Sequence, residues 1–249
     1  MIEARALVKV FQDKKRGAVR AVDGVSFRCE PGRIYGLLGA NGAGKTTTLR
    51  MLATLLAPTG GGATVAGYDV VKNPEEARAN LGFLSTATAL YGRLTAREFV
   101  EYFGRLHGLP EDLLAARREQ LFTRLEMNEF RDRRCEKLST GMKQKTSIAR
   151  VLIHDPQVMI FDEPTTGLDV MTARAIVQFI RECKERGKTV IFSTHVMTEV
   201  EKLCDRVGII HGGKLLAEGT IGELNAKTGM TDLEDSFVYV VTQAGGRVA

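Results

Sequence analysis

Between Ala4 and Tyr35 short β-branched runs alternate with turn signals at Lys14–Gly17, Asp23-Gly24 and Pro31-Gly32, a rhythm that predicts a small antiparallel sheet. The pattern then changes. Ile34-Tyr35-Gly36-Leu37-Leu38 is a short apolar strand that runs straight into a glycine-rich loop, and Thr46–Leu56 continues with helical spacing until Pro58 and Gly60–Gly62 stop it. From Leu94 to Ile153 the spacing is mostly helical: Phe99, Tyr102, Phe103 and Leu106 recur at intervals of three and four, and Leu113, Leu121 and Leu125 follow more loosely. Beyond it the chain predicts a strand at Val158–Phe161, a helix at Thr172–Glu185, a strand at Thr189–Ser193, a helix at Val196–Cys204 and a strand at Arg206–His211. Such alternation is the mark of a parallel sheet with crossover helices, so an α/β core is expected to close around an inserted helical subdomain.

This layout sets the expected organisation of one domain over residues 1–249. Residues 1–87 would hold the antiparallel β subdomain and the first part of the core, 88–153 the helical subdomain, 154–228 the rest of the core, and 229–249 a tail too short for a domain of its own. The length leaves no room for a second copy of such a core. With 44% hydrophobic and 26% charged residues, the composition is that of a soluble protein, and its apolar runs fall far short of the roughly 20 residues that cross a bilayer. The start of the chain lacks the layout of a secretion signal, so a cytoplasmic location is expected. Cys29, Cys135, Cys183 and Cys204 stand far apart, which suits reduced, packed thiols. The formal charge is only +5, and the basic group Arg131, Arg133 and Arg134 is broken by Asp132 and followed by Glu136. That is a solvated face rather than a nucleic-acid groove, and no nucleic-acid partner is expected.

The chemistry is concentrated in a few short stretches. Gly39-Ala40-Asn41-Gly42-Ala43-Gly44-Lys45-Thr46, followed by Thr47, fits the phosphate-loop pattern G-x-x-x-x-G-K-[ST]. Its glycines let backbone N–H groups curl around phosphate oxygens, Lys45 can reach the β- and γ-phosphates, and the Thr46 hydroxyl can ligate Mg²⁺. The helix that starts there turns its positive end toward the nucleotide. Placed between an apolar strand and a helix, the motif predicts a P-loop NTPase core with a parallel sheet, and ATP and Mg²⁺ as its ligands. The predicted strand at 158–161 ends in Asp162 and Glu163. Alone this would also fit an acidic turn before Pro164; beside a phosphate loop, Asp162 suits the metal and Glu163 can polarise the attacking water as general base.

Leu138-Ser139-Thr140-Gly141-Met142-Lys143-Gln144-Lys145 resembles the L-S-G-G signature of ABC ATPases, in the form that continues M-K-Q. By itself it would be a serine-capped helix; with its neighbours it implies a second phosphate site made by Ser139 and the backbone at Gly141. The resemblance spans about residues 3–222. Thr165-Thr166-Gly167-Leu168-Asp169 is similar to the loop that crosses the family's dimer interface, and Ser193-Thr194-His195 implies that His195 contacts the γ-phosphate. Phe11 stands where the family stacks an aromatic on adenine, although an aromatic there would equally suit a core.

Two departures are present. Thr140 replaces a glycine, and Ser85-Thr86-Ala87-Thr88 stands where the family carries a glutamine that serves the metal and the lytic water, which leaves Thr86 as the candidate on the metal side. Leu90–Glu98 and Leu233–Phe237 look most like ATPases of NatA-type sodium-efflux and related drug or polysaccharide exporters. The resemblance implies two cassettes, in the first instance two copies of this chain, closing head to tail on ATP. It also implies a separate transmembrane permease subunit that carries the substrate, with this chain peripheral on the inner face of the cell membrane. The alternative within the resemblance is a soluble ABC ATPase acting on the ribosome or DNA; one cassette and no sustained heptads count against it.

Overall fold

The computed structural model describes residues 1–14, 17–85 and 89–246. They fall into two compact units, one of residues 1–81 with 157–249 and one of residues 82–156.

In the first unit, β1 (Ile2–Asp13) pairs antiparallel with β2 (Gly17–Cys29) and with β4 (Gly60–Val65), and β5 (Tyr68–Asp69) completes a four-stranded sheet in the order β2-β1-β4-β5. The expected antiparallel sheet is therefore present, with one correction. Asp23-Gly24 is a bulge inside β2, not a turn: Leu7 pairs with Val25 and Val8 with Asp23, and Gly24 takes up the extra residue at φ 72°.

The second sheet is built on β3 (Ile34–Leu38), whose five residues are all buried, as a strand covered on both faces requires. Parallel to it lie β8 (Thr189–Thr194) and β9 (Arg206–His211), with β7 (Val158–Asp162) outside β8 and the antiparallel β10 (Lys214–Gly219) outside β9, giving the order β10-β9-β3-β8-β7. The linking helices are α1 (Lys45–Leu52), α6 (Val170–Glu185) and α7 (Met197–Leu203). The short α2 (Pro74–Ala79) follows β5 and carries Pro at its first position. The chain ends on α8 (Ile221–Thr228), stopped by Gly229 in the left-handed conformation, and α9 (Leu233–Gln243), capped by Asp232. Far from trailing in solvent, the tail packs: Leu233, Phe237 and Val241 are buried with Leu38, Val200, Val207, Ile209 and Leu224.

The second unit follows β6 (Leu81–Ser85) and is helical: α3 (Ala96–Leu106), α4 (Glu111–Arg124) and α5 (Thr140–Leu152). Thr95 and Glu98 form a capping box at the start of α3, and Ser139 caps α5 through the N–H of Met142. Phe99, Val100, Leu114, Phe122, Met127, Phe130, Ala149 and Ile153 form its own core. The helical spacing of Phe99 and Phe103 is that of a buried face, whereas Tyr102 and Leu106 are exposed on the other. Among the described residues no helix is long and apolar enough to cross a membrane, and the four cysteines are free thiols.

Candidate functional site

The phosphate loop leaves β3 and closes on α1. Gly44, at φ 107°, caps α1 with no side chain; a Cβ there would lie 2.7 Å from the Ala21 carbonyl oxygen. A Cβ at Gly39 would lie 2.4 Å from the Ile210 carbonyl oxygen, so both positions need glycine for space, and Gly44 for conformation as well. The result is an open cavity of about 140 Å³ lined by Ala21, Asn41, Gly42, Ala43, Gly44, Lys45, Thr46, Thr47 and Glu163. It is the size of a phosphate chain rather than of a whole nucleotide, and it lies at the amino end of α1, where the first N–H groups have no partner within the helix.

Lys45 is buried at 4% exposure, and its ammonium donates to the Gly39 carbonyl at 2.6 Å and the Ala40 carbonyl at 3.1 Å. Glu163 Oε1 stands 3.0 Å from the same ammonium. The other oxygen of Glu163 takes the Thr166 hydroxyl at 3.0 Å and faces His195 Nδ1 at 2.9 Å. Burial pushes the Glu163 carboxyl up, but Lys45, Thr166 and His195 together outweigh it and hold it below the ordinary value. Its backbone sits in the left-handed region at φ 47°, a strained setting for a glutamate that aims the carboxylate back across the loop.

Asp162 is buried beside it. Its Oδ1 accepts from the Thr46 hydroxyl at 3.0 Å and from the Ser193 hydroxyl at 2.8 Å. Thr46 and Asp162 offer hard oxygen ligands side by side, a donor set that fits Mg²⁺, which binds through one or two protein oxygens and takes its other ligands from phosphate and water. Ser193 does more than reading the sequence revealed: its hydroxyl and carbonyl both accept from the N–H of Glu163, at 3.1 and 3.2 Å. The register that sets Asp162 opposite Ser193 in β7 and β8 makes this possible. Thr166 was likewise visible only as part of a motif.

The remaining predicted residues belong to other elements. Asp169 is the cap of α6, and hydrogen bonds from the Thr172 hydroxyl and N–H, and from Met171 N–H, hold its carboxyl below the usual range. Phe11 lies exposed on β1 under the Lys9 ammonium, 5.3 Å from its ring centre, and is not among the residues that line the phosphate cavity. Ser139 and Gly141 open α5 in the helical unit. Thr86 falls outside the described residues.

Comparison with known proteins agrees with this architecture. The family model for ABC transporters matches residues 22–166. The ABC transporter ATP-binding protein NatA of Bacillus subtilis (strain 168) is 47% identical over 229 residues, covering 92% of this chain and 93% of that protein. The daunorubicin resistance ATP-binding protein DrrA3 of Streptomyces coeruleorubidus is 37% identical, covering 95% of this chain and 75% of its own. Among solved structures, the ATP-binding subunit of an ABC transporter superposes with a TM-score of 0.86 at 27% identity, covering 96% of this chain and 99% of that one. The chain thus belongs to the ABC transporter ATP-binding family, as an ATPase whose hydrolysis of ATP is coupled to transport.

Proposed function

We propose that this chain powers an exporter by closing head to tail with a second cassette, in the simplest case another copy of itself, around ATP and Mg²⁺. The observation that carries the reading is the cluster in which Lys45, Glu163 and His195 meet beside Thr46 and Asp162.

In this reading, the phosphate cavity and the positive end of α1 take the β- and γ-phosphates, and Lys45 turns from Glu163 toward them. Mg²⁺, when bound between Thr46 and Asp162, supplies neutralising charge on the phosphate oxygens. Glu163, released from Lys45, accepts a proton from water as the water oxygen bonds to the γ-phosphorus; the bond from that phosphorus to the bridging oxygen breaks, leaving ADP and phosphate. His195 holds Glu163 through Oε2 and is the group that can register the γ-phosphate. Ser139 and Gly141 of the second cassette, at the start of its α5, would complete the site, with Asp169 at the shared face and Phe11 under the adenine. Thr86 itself, or a water bridging Thr86 or Ser85 to the metal, would serve in place of the family's glutamine, whose amide reaches further than a hydroxyl on Cβ.

Residues 88–153 would be the subdomain that docks on a separate transmembrane permease at the inner face of the membrane, with 1–87 and 154–228 as the ATPase core. The likeness to NatA and to a daunorubicin resistance ATPase supports sodium ion or a drug-like compound as the exported substrate. Reconstitution tests this: the chain with the membrane protein that co-purifies with it, in vesicles, should move labelled sodium or daunorubicin outward only with ATP. Transport by the chain without any membrane subunit would refute the two-polypeptide reading.

A further inference from the structure

A second, larger cavity of about 490 Å³ opens at the amino ends of β3 and β9, the ends away from the phosphate loop, which follows the carboxyl end of β3. Its depth is polar in an unusual way. Tyr35 is 1% exposed, its ring is stacked on Phe27 at 4.7 Å between centres, and its hydroxyl makes no hydrogen bond. That hydroxyl passes over Gly208, where a Cβ would meet it at 2.3 Å, so glycine keeps the passage open. Glu218 is directly across from Gly208 in the β9–β10 pairing, and its carboxylate stands beside the phenol as a poorly aligned acceptor. The Arg206 guanidinium stands 3.8 Å from the Glu218 carboxylate and the Lys227 ammonium donates to the Glu218 carbonyl at 3.2 Å, yet burial leaves this carboxyl above its ordinary value.

A buried hydroxyl without a well-aligned partner is unfavourable, and a half-buried carboxylate whose guanidinium stands at 3.8 Å is incompletely compensated. Both groups are improved by one ammonium that donates to Glu218 with Tyr35 alongside. The rim has the opposite character: Arg28 and Arg33 are exposed, Arg28 loosely tied at 3.4 Å to Glu30 and Arg33 donating one hydrogen bond to Asp205 at 3.1 Å, with the rest of each guanidinium facing outward. An anion alone would face Glu218 inside, and a cation alone would pass between guanidiniums. Cys29 lines the wall, but burial pushes its thiol up to about 12, so covalent capture by a thiolate has no basis.

We propose that this cavity is a second ligand site for a small zwitterion, its ammonium between Tyr35 and Glu218 and its carboxylate on Arg28 and Arg33. The test is binding of γ-aminobutyrate, with putrescine and succinate as single-charge controls, to the full chain by calorimetry and ligand-observed NMR. Millimolar binding of γ-aminobutyrate is expected, weakened by about tenfold in Glu218→Gln and in the exposed rim variant Arg28→Ala. ATP affinity should stay unchanged in both, which also shows that they fold. Equal or tighter binding of succinate or putrescine, insensitivity to Glu218→Gln, or no γ-aminobutyrate binding below about 10 mM would each overturn the assignment.

Discussion

Lys45 Nζ lies 3.0 Å from Glu163 Oε1, so the cation expected to meet phosphate and the carboxylate expected to activate water neutralise each other. The pair is buried on the Lys45 side and mostly buried on the Glu163 side. Removing one partner therefore leaves the other without compensation. In the proposed mechanism phosphate must take the lysine before Glu163 can act on water.

Lys45→Ala should abolish ATP binding and lower phosphate release by at least about 100-fold, the scale of losing one preorganised charge at a reacting centre. It should also let the Glu163 carboxyl titrate at higher pH, because the group that most lowers it is gone. Fluorescent-nucleotide binding and phosphate-release rates check the first part. Turnover at the level of the unmodified chain would mean that Lys45 does not handle phosphate.

Glu163→Gln should behave differently. The amide keeps the shape and can still accept from Thr166, but it cannot take a proton from water, and general-base catalysis is worth about 10² to 10⁴ in rate. ATP should bind and stay, and light scattering after size separation with ATP and Mg²⁺ should show a stable dimer. A monomer under those conditions would rule out the head-to-tail sandwich for this chain.

How much of this was legible before the structure depended on whether a residue's role is local. The span Ile34–Leu38 emerges with the bounds its apolar run predicts, and β9 likewise at Arg206–His211, because buried parallel strands announce themselves by composition. Glycines and Lys45 of the phosphate loop are likewise a local pattern. Ser193 and Thr166 were quoted in motifs without a task, since their hydrogen bonds to Asp162 and Glu163 depend on strand register and on a turn at φ 47°. Asp23-Gly24 looked like a turn because a glycine at positive φ serves a bulge equally well. The strand β10 and helices α8 and α9 went unpredicted, as Leu233, Phe237 and Val241 find their partners far away in the chain.

Ser193→Ala tests the missed residue. The loss removes a donor to Asp162 and an acceptor for the Glu163 N–H, while the Ser193 carbonyl still accepts from that N–H. Asp162 should hold Mg²⁺ less well, raising the Mg²⁺ concentration for half-maximal ATPase about three- to tenfold, at a stability cost of about 1–3 kcal/mol. ATPase rate against Mg²⁺ at fixed ATP gives the answer. An unchanged Mg²⁺ dependence would leave Ser193 as a purely structural bond.

Acid should loosen the helical unit by a definite route. Hydrogen bonds from Arg131, then Arg118, pull the Glu119 carboxyl down to about 2 from an ordinary value of 4.5. A lowered carboxylate stabilises the fold above its unfolded value, and that contribution fades as the pH falls from about 4.5 toward 2. The group is half exposed, so the effect is small. Urea midpoints between pH 6 and pH 3 should fall less steeply in Glu119→Gln than in the unmodified chain; parallel curves would show that this cluster does not contribute.

The end of the chain gives the last prediction, since a tail and a core helix respond oppositely to truncation of one side chain. Phe237 is 4% exposed and packs with Val200, Val207, Ile209 and Leu224, whereas Tyr239, two residues on, is 40% exposed. Ser236 of α9 is fully buried, donates to Asn225 Oδ1 of α8 at 2.8 Å and meets the Thr228 hydroxyl at the same distance, so α9 is held by polar bonds as well as by packing. Phe237→Ala should cost about 3–5 kcal/mol, the range for a large aromatic removed from a core, and Tyr239→Ala less than about 0.5 kcal/mol. Urea unfolding of both variants decides it. If Phe237→Ala unfolds at the same denaturant concentration as Tyr239→Ala, α9 is a peripheral tail and the core must close without it.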